Sequence, residues 1–319
     1  VAAVKIVVTG GAGFIGSNLV DALLEDGHTV LVVDNLSTGR FENLYKVKDA
    51  ARESRFAFHQ VDIRESGVAV AFKGQQPDLV IHLAAQPDVR YSVKYPVEDA
   101  DHNILGTINL LQHAAESGVR KFIYTSSGGC IYGAPERLPV GEEEPRRPIS
   151  PYGVSKGVAE EYLRYYSREY GMAHTTLALA NVYGPRQNPM GEAGVVAILA
   201  GRMLRGETPV IYGDGEQTRD FVFVGDVVDA YRRAIEAGDG EIYNIGTGEE
   251  VSVNTIFREL ADICGFEGEP QYAPPRQGEL ARISLKVDKA REGLKWAPAT
   301  SLREGLERTV AWLRENVRG

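Results

Sequence analysis

One unit near the start of the chain leaves little freedom of fold. Val4 to Val8 (VKIVV) is a short apolar, β-branched run that stops at Thr9-Gly10-Gly11-Ala12-Gly13-Phe14-Ile15-Gly16, after which Ser17 to Leu24 has helical periodicity. The order predicts strand, glycine turn, helix. Glycines there allow a tight turn and let backbone N–H groups at the helix N-terminus approach a pyrophosphate, whose charge the helix dipole favours. A second apolar run, Thr29 to Val33, ends in Asp34, eighteen residues after Gly16. An acidic residue at that point can accept both hydroxyls of an adenosine ribose and would repel a 2′-phosphate, so NAD is favoured over NADP. A plainer role for Asp34 is to cap a turn with Asn35.

The rhythm continues through Arg55 to Val61 then Asp62-Ile63, Leu79 to Leu83 then Ala84-Ala85-Gln86, and Lys121 to Tyr124 then Thr125-Ser126-Ser127. Strands alternating with helical stretches predict an α/β fold with a doubly wound parallel (Rossmann) sheet and ligand groups at the carboxyl ends of the strands. Ala100, Ile104, Ile108, Leu111 and Ala115 recur at helical spacing, which puts Asn103 on an amphipathic helix and makes His102 and His113 surface residues. At 319 residues the chain has room for one large domain or two modest ones. From Asn181 the βα repetition gives way to turn-rich pieces. We therefore expect a dinucleotide-binding domain over 1–180, with segments near 215–245 returning to it, and a smaller, interleaved α/β substrate domain over most of 181–319. Leu302 to Leu313 reads as a closing amphipathic helix.

Ser150-Pro151-Tyr152-Gly153-Val154-Ser155-Lys156 begins another helix, with Ser150 as a good N-cap and Pro151 as a good first-turn residue. Tyr152 and Lys156 are four residues apart and share a face, roughly 6 Å apart along the axis at ~1.5 Å per residue. A cation beside a phenol favours the phenolate, so the pair is expected to serve as a proton acceptor and donor near neutrality. Two amphipathic side chains on a solvated face is the commoner meaning of that spacing. Val154, Val158, Tyr162 and Tyr166, repeating every four residues, are expected to form the packed face.

Composition narrows the partners. Net charge is −9, from 44 acidic against 35 basic residues without a Lys/Arg block, so nucleic acid and anionic membrane are poor partners. No run approaches the roughly eighteen apolar residues of a membrane span, and we expect a cytoplasmic protein without targeting segments. Cys130 and Cys264 are far apart and lack metal-ligand spacing, so buried free thiols are expected and no metal site. An anionic ligand must then be met by local arginines. Arg219 and Arg276 stand in glycine-containing, loop-like contexts, and guanidinium forks suit phosphate oxygens.

Together the glycine turn, the aspartate after the second strand, the serines after 121–124 and Tyr152-x-x-x-Lys156 resemble the extended short-chain dehydrogenase/reductase superfamily. Asp34-Asn35-Leu36-Ser37-Thr38-Gly39 and the later segments look like the UDP-glucose (UDP-galactose) 4-epimerase family, over about residues 4–310. The resemblance implies an NAD site lined by Gly10, Gly13, Phe14, Ile15, Gly16, Asp34, Asn35, Ser37, Thr38, Gly39, Asp62, Ile63, Leu83, Ala84, Ala85, Gln86, Asn103, Tyr152 and Lys156. It also implies a UDP-sugar site in which Arg219 and Arg276 meet the diphosphate, Asn181 a phosphate and Glu279 the uridine ribose, with Tyr212 and the backbone near Val195 and Val196 around the uracil. A hydroxyl beside the tyrosine would bind the sugar O4. Counting forward from the strand gives Ser127, counting back from Ile131-Tyr132-Gly133 gives Gly128, and the choice between Ser126 and Ser127 falls on Ser127. Ile283 corresponds to the residue that gates N-acetyl groups. The family forms homodimers through the helices of Asn103 and Tyr152.

The implied activity is interconversion of UDP-glucose and UDP-galactose through a 4-keto sugar. UDP-glucuronate and UDP-N-acetylglucosamine 4-epimerases are alternatives on the same scaffold, and a non-catalytic NAD-binding protein is the alternative from another class. A nucleotide-sugar dehydratase or decarboxylase is a less favoured alternative: the dehydratases carry a Thr-Asp-Glu run just before the Tyr-Gly pair and the decarboxylases typically a glutamate in the same loop, where this chain has Gly128-Gly129-Cys130.

Overall fold

A computed structural model describes residues 2–48, 53–74, 76–189, 194–275 and 280–316. Seven parallel strands form the central sheet: β1 (Lys5–Thr9), β2 (Thr29–Asp34), β3 (Phe56–Gln60), β4 (Leu79–His82), β5 (Lys121–Ser127), β6 (Ala173–Leu179) and, much later, β11 (Glu241–Ile245). Their spatial order is β11-β6-β5-β4-β1-β2-β3. The order in which strands are added reverses between β1 and β4, which opens a crevice at their carboxyl ends. Alternation along the strands feeds two cores: Ile6, Val8, Val30 and Val32 face one layer of helices, and Val7, Leu31 and Val33 the other.

The remaining strands are short and form three separate pairs. β7 (Asn181–Tyr183) lies parallel to β10 (Phe221–Phe223), β8 (Val210–Tyr212) parallel to β13 (Gln271–Ala273), and β9 (Thr218–Arg219) antiparallel to β12 (Val251–Ser252). They pack on a third core that includes Val196, Leu199, Ile256 and Leu260. The helix Leu302–Asn316 closes that core with Leu306, Val310 and Leu313, all fully buried.

Two helical expectations are corrected. In the helix Pro151–Tyr170 the inward face is Ser155, Lys156, Ala159, Glu160, Leu163 and Tyr166, whereas Val154 is 46% exposed and Tyr162 37%. The apolar stripe read from the sequence is largely the outer face, because the inner face spends positions on buried polar groups. Asp99, Asn103, Thr107, Leu110, Leu111 and Ala114 are the buried side of the segment Pro96–Glu116; of the expected stripe Leu111 is buried, while Ala100, Ile104, Ile108 and Ala115 are half-buried at its margin. A π turn at Asp101–Leu105 shifts the phase part-way along.

Candidate active site

The glycine turn is held by backbone packing. Gly10 adopts φ +68°, and a side chain there would meet the Ala84 nitrogen at 2.7 Å. A Cβ on Gly16 would lie 2.1 Å from the Gly10 carbonyl oxygen, so only glycine lets the helix Phe14–Glu25 close on the turn. Gly13 is that helix's N-cap and brings no capping side chain, and the first turn carries no acidic residue. Its amides therefore face the crevice without a local anion, which suits a pyrophosphate.

The crevice holds about 730 Å³ and is walled by the ends of the sheet strands. Gly10, Gly13, Phe14, Ile15, Gly16, Asp34, Asn35, Ser37, Thr38, Gly39, Asp62, Ile63, Leu83, Ala84 and Ala85 all line it. Asp34 is buried and uses both carboxylate oxygens, accepting from Ala12 N at 3.0 Å and Leu36 N at 2.8 Å. The turn-capping role and an open face toward a ribose thus coexist, since each oxygen keeps a second lone pair. Burial pushes its carboxyl upward. Asp62 is instead held well below the usual carboxylate range, chiefly by hydrogen bonds from Arg64, with Asn35 donating a further one at 2.8 Å.

Asn103 is buried, and its amide is spent on the loop after β4. Its Oδ1 accepts from Gln86 N at 3.0 Å, and its Nδ2 donates to the Gln86 carbonyl at 3.0 Å and to Asp99 at 2.9 Å. His102, expected at the surface, is half-buried and lines the crevice. Arg186, Gln187, Asn188 and Gly194 also line it, from the loop after β7. Sequence reasoning did not assign them there, although they lie among the turn-rich pieces that begin at Asn181. What places them is Arg186 pairing with Asp21 at 2.5 Å and Asn18 donating to Pro185 O at 3.1 Å, contacts more than 160 residues apart.

At the carboxyl end of β5 the expected reactive groups converge. Ser150 Oγ accepts from Gly153 N at 3.2 Å and caps the helix, so Tyr152 and Lys156 start its first turns. Lys156 Nζ donates to the Thr125 carbonyl at 3.0 Å and stands 5.8 Å from the Tyr152 ring centre. The two adjacent serines separate cleanly. Ser126 is buried and donates to Glu160 at 2.7 Å, whereas Ser127 is half-buried at the strand end and acts to lower both the Tyr152 phenol and the Cys130 thiol.

The electrostatics correct one expectation. Burial pushes the Tyr152 phenol upward, with Cys130 and Asp99 adding to the rise, and Ser127 opposes it. In the free protein burial outweighs the ammonium alongside, and Lys156 donates to a carbonyl rather than to the phenol. Burial lowers Lys156 to about 8, so it remains mostly protonated at pH 7.

The substrate-side residues lie on the short strands. Asn181 is exposed on β7, with its Oδ1 3.8 Å from where a Gly129 side chain would begin. Arg219, half-buried on β9, donates to Thr218 O at 2.8 Å, and its charge is felt at Cys130. Tyr212 is 39% exposed and ends β8, next to a second, open pocket that includes Gly213 and Tyr272. Val195 is half-buried and Val196 belongs to the third core. Ile283 is buried with Ile131, Tyr132 and Leu285. Arg276 and Glu279 lie outside the described residues. Both cysteines are free and half-buried. Among the described residues, no group of His, Cys, Asp or Glu could hold a metal ion, and no helix is long and apolar enough to cross a membrane.

The sequence profile of the NAD dependent epimerase/dehydratase family matches residues 6–246. The chain belongs to that family. Its fold is correspondingly close to solved family structures. The UDP-glucose 4-epimerase of Thermotoga maritima, solved with UDP-glucose, is 48% identical with a TM-score of 0.94, over 98% of this chain and 100% of that one. The Thermus thermophilus UDP-glucose 4-epimerase complex with NAD is 42% identical with a TM-score of 0.90, over 98% and 99%. Among curated family members, the UDP-glucose 4-epimerase of Mycolicibacterium smegmatis is 46% identical over 97% of this chain and 98% of its own length.

Proposed function

We propose that this chain is an NAD-dependent 4-epimerase that interconverts UDP-glucose and UDP-galactose. The observation that carries the reading is the trio Ser127, Tyr152 and Lys156 at the end of β5, beside a crevice suited to a dinucleotide. Tyr152 takes the proton from the sugar O4 and later returns it. Ser127, at the end of β5 and acting on the Tyr152 phenol, orients O4. Lys156 contributes its positive charge to the phenolate as it forms. NAD held by the crevice would supply the hydride acceptor and donor for C4. Gly128-Gly129-Cys130 offers no carboxylate to expel water or carbon dioxide.

In this reading residues 1–180 with 215–245 hold the cofactor, with Gly13, Asp34 and Asp62 toward the dinucleotide. The remainder of 181–319 holds the nucleotide sugar through Asn181, Tyr212, Arg219, Arg276 and Glu279. A homodimer belongs to the same reading. Val97 is 81% exposed, and Val93, Leu105, Val154 and Tyr165 are exposed on neighbouring helices, an apolar face that a second copy would cover. Free cysteines accord with a cytoplasmic setting.

The test is a coupled assay against UDP-galactose, UDP-N-acetylglucosamine and UDP-glucuronate without added NAD. Turnover of UDP-galactose is expected, with Tyr152→Phe retaining NAD while losing at least ~10³-fold in kcat. A Tyr152→Phe protein within a few-fold of wild type would sink the assignment of the base.

A further inference from the structure

Lys156 is a buried cation, and its only hydrogen-bond acceptor among the described residues is the Thr125 carbonyl. Titratable groups face it from each element around it: Asp99, Cys130 from Gly128–Ile131, Glu160 and Tyr152 from its own helix, His82 from β4 and Tyr124 from β5. They differ in how their charge is spent. Glu160 is paired with Arg146 at 3.3 Å and accepts from Ser126. Burial pushes the Cys130 thiol and the Tyr124 phenol upward, which keeps both neutral.

His82 is neutral by geometry as well as burial. The Thr107 hydroxyl gives its proton to the Asn103 carbonyl at 2.7 Å, so it accepts from His82 Nε2–H at 3.0 Å. Nδ1 is left to accept from Thr9 Oγ1 at 2.6 Å, and burial lowers the imidazole to about 3.

Asp99 is the remaining anion. It is fully buried and accepts from Ser155 Oγ at 2.7 Å, Asn103 Nδ2 at 2.9 Å and Gln86 Nε2 at 3.0 Å, all neutral donors. Among the described residues no cation forms an ion pair with it. Its field acts on Lys156.

We propose that Asp99 is the counter-charge of Lys156, a positioning residue that keeps the ammonium protonated. Through Ser155 it also fixes the helical turn that presents Lys156, and through Gln86 and Asn103 the loop that walls the cofactor crevice. The proposal rests on the roles given above to Tyr152 and Lys156. Asp99→Asn keeps the shape and an acceptor oxygen and removes the charge. Ser155→Ala removes a hydrogen bond and leaves the charge.

The experiment is an NMR titration of the full chain labelled with [ε-13C]lysine, with Lys156 assigned through Lys156→Arg, together with the pH profile of kcat. The Lys156 midpoint is expected to fall by ~1 pH unit in Asp99→Asn, and the alkaline limb of kcat with it. In Ser155→Ala it should stay within ~0.3 unit, because the charge is retained. An unmoved midpoint in Asp99→Asn, or an equal fall in both variants, overturns the proposal. Should Asp99→Asn not fold, Asp99→Ser, which admits water to the three donors, is read the same way. The titration needs no turnover. A shifted midpoint in a protein that epimerises nothing keeps the counter-charge and discards the epimerase, and an active enzyme with an unmoved midpoint does the reverse.

Discussion

On the dinucleotide side of the crevice, Gly10, Asp34, Asp62 and Ala84 stand at or just past the carboxyl ends of four adjacent parallel strands. Outside that lining, Asn181, Tyr212 and Arg219 sit on strands of three, three and two residues, each in a separate two-stranded sheet. The first region is positioned by topology and, in the function proposed above, meets its ligand with helix-terminal amides and the carboxylates at the strand ends. The second is positioned by local ladders and, in the same proposal, meets its ligand with individual side chains. A change in the first should therefore propagate into folding and cofactor retention, and a change in the second should alter substrate affinity alone.

The harshest challenge to that contrast is Gly16→Ala. The new methyl meets backbone atoms at 2.1 and 2.8 Å that no rotamer can relieve. We expect a loss of ~2–4 kcal/mol in stability together with cofactor retention, read by denaturant unfolding and by bound-NAD content. If Gly16→Ala were as stable as wild type, the rigidity ascribed to the first region would be wrong. Next in size is Arg219→Ala, expected to weaken UDP binding by ~10–100-fold, as loss of a charge-assisted contact does, with NAD content unchanged. Calorimetric titration with UDP measures this, and a fall in NAD content would blur the division.

The smallest effect at neutral pH, growing only on acidification, is a pH dependence stored in the first region. His82 titrates near 3 when folded against 6.5 in an unfolded chain, so below pH 6.5 the unfolded state binds the extra proton. Its contribution is complete above about pH 6.5 and is lost as pH falls toward 3. Between those limits stability should drop by up to ~1.4 kcal/mol per pH unit more in wild type than in His82→Gln. Thermal melts of both proteins from pH 7 to pH 4.5 would show the slopes converge or differ.

The same contrast explains what could be read in advance. The sheet and the crevice at its strand ends follow from local patterns, because strand, turn and helix each announce themselves within a few residues; the individual lining residues from Gly10 to Ala85 were implied by the family resemblance. Arg186 and Gln187 were missed as lining because nothing near them in sequence indicates that Asp21 and Asn18 will hold their loop. The outward face of the Tyr152 helix was misread for a different reason. Periodicity reports an apolar stripe, and it cannot tell that Lys156 and Glu160, 3% and 2% exposed, have claimed the inner face. The direction of the Tyr152 shift was hidden as well, since it depends on enclosure rather than on the spacing of the pair.

The late arrival of β11 has a consequence for synthesis. β6 ends at Leu179, yet its outer neighbour starts only at Glu241. At ordinary translation rates roughly 3–12 s separate the two on the ribosome. Throughout that interval the Ala173–Leu179 edge presents unpaired backbone groups along an apolar strand, the kind of edge that recruits other chains. A chaperone-free translation system, or a stop placed just before residue 241, should therefore yield aggregated rather than merely inactive product.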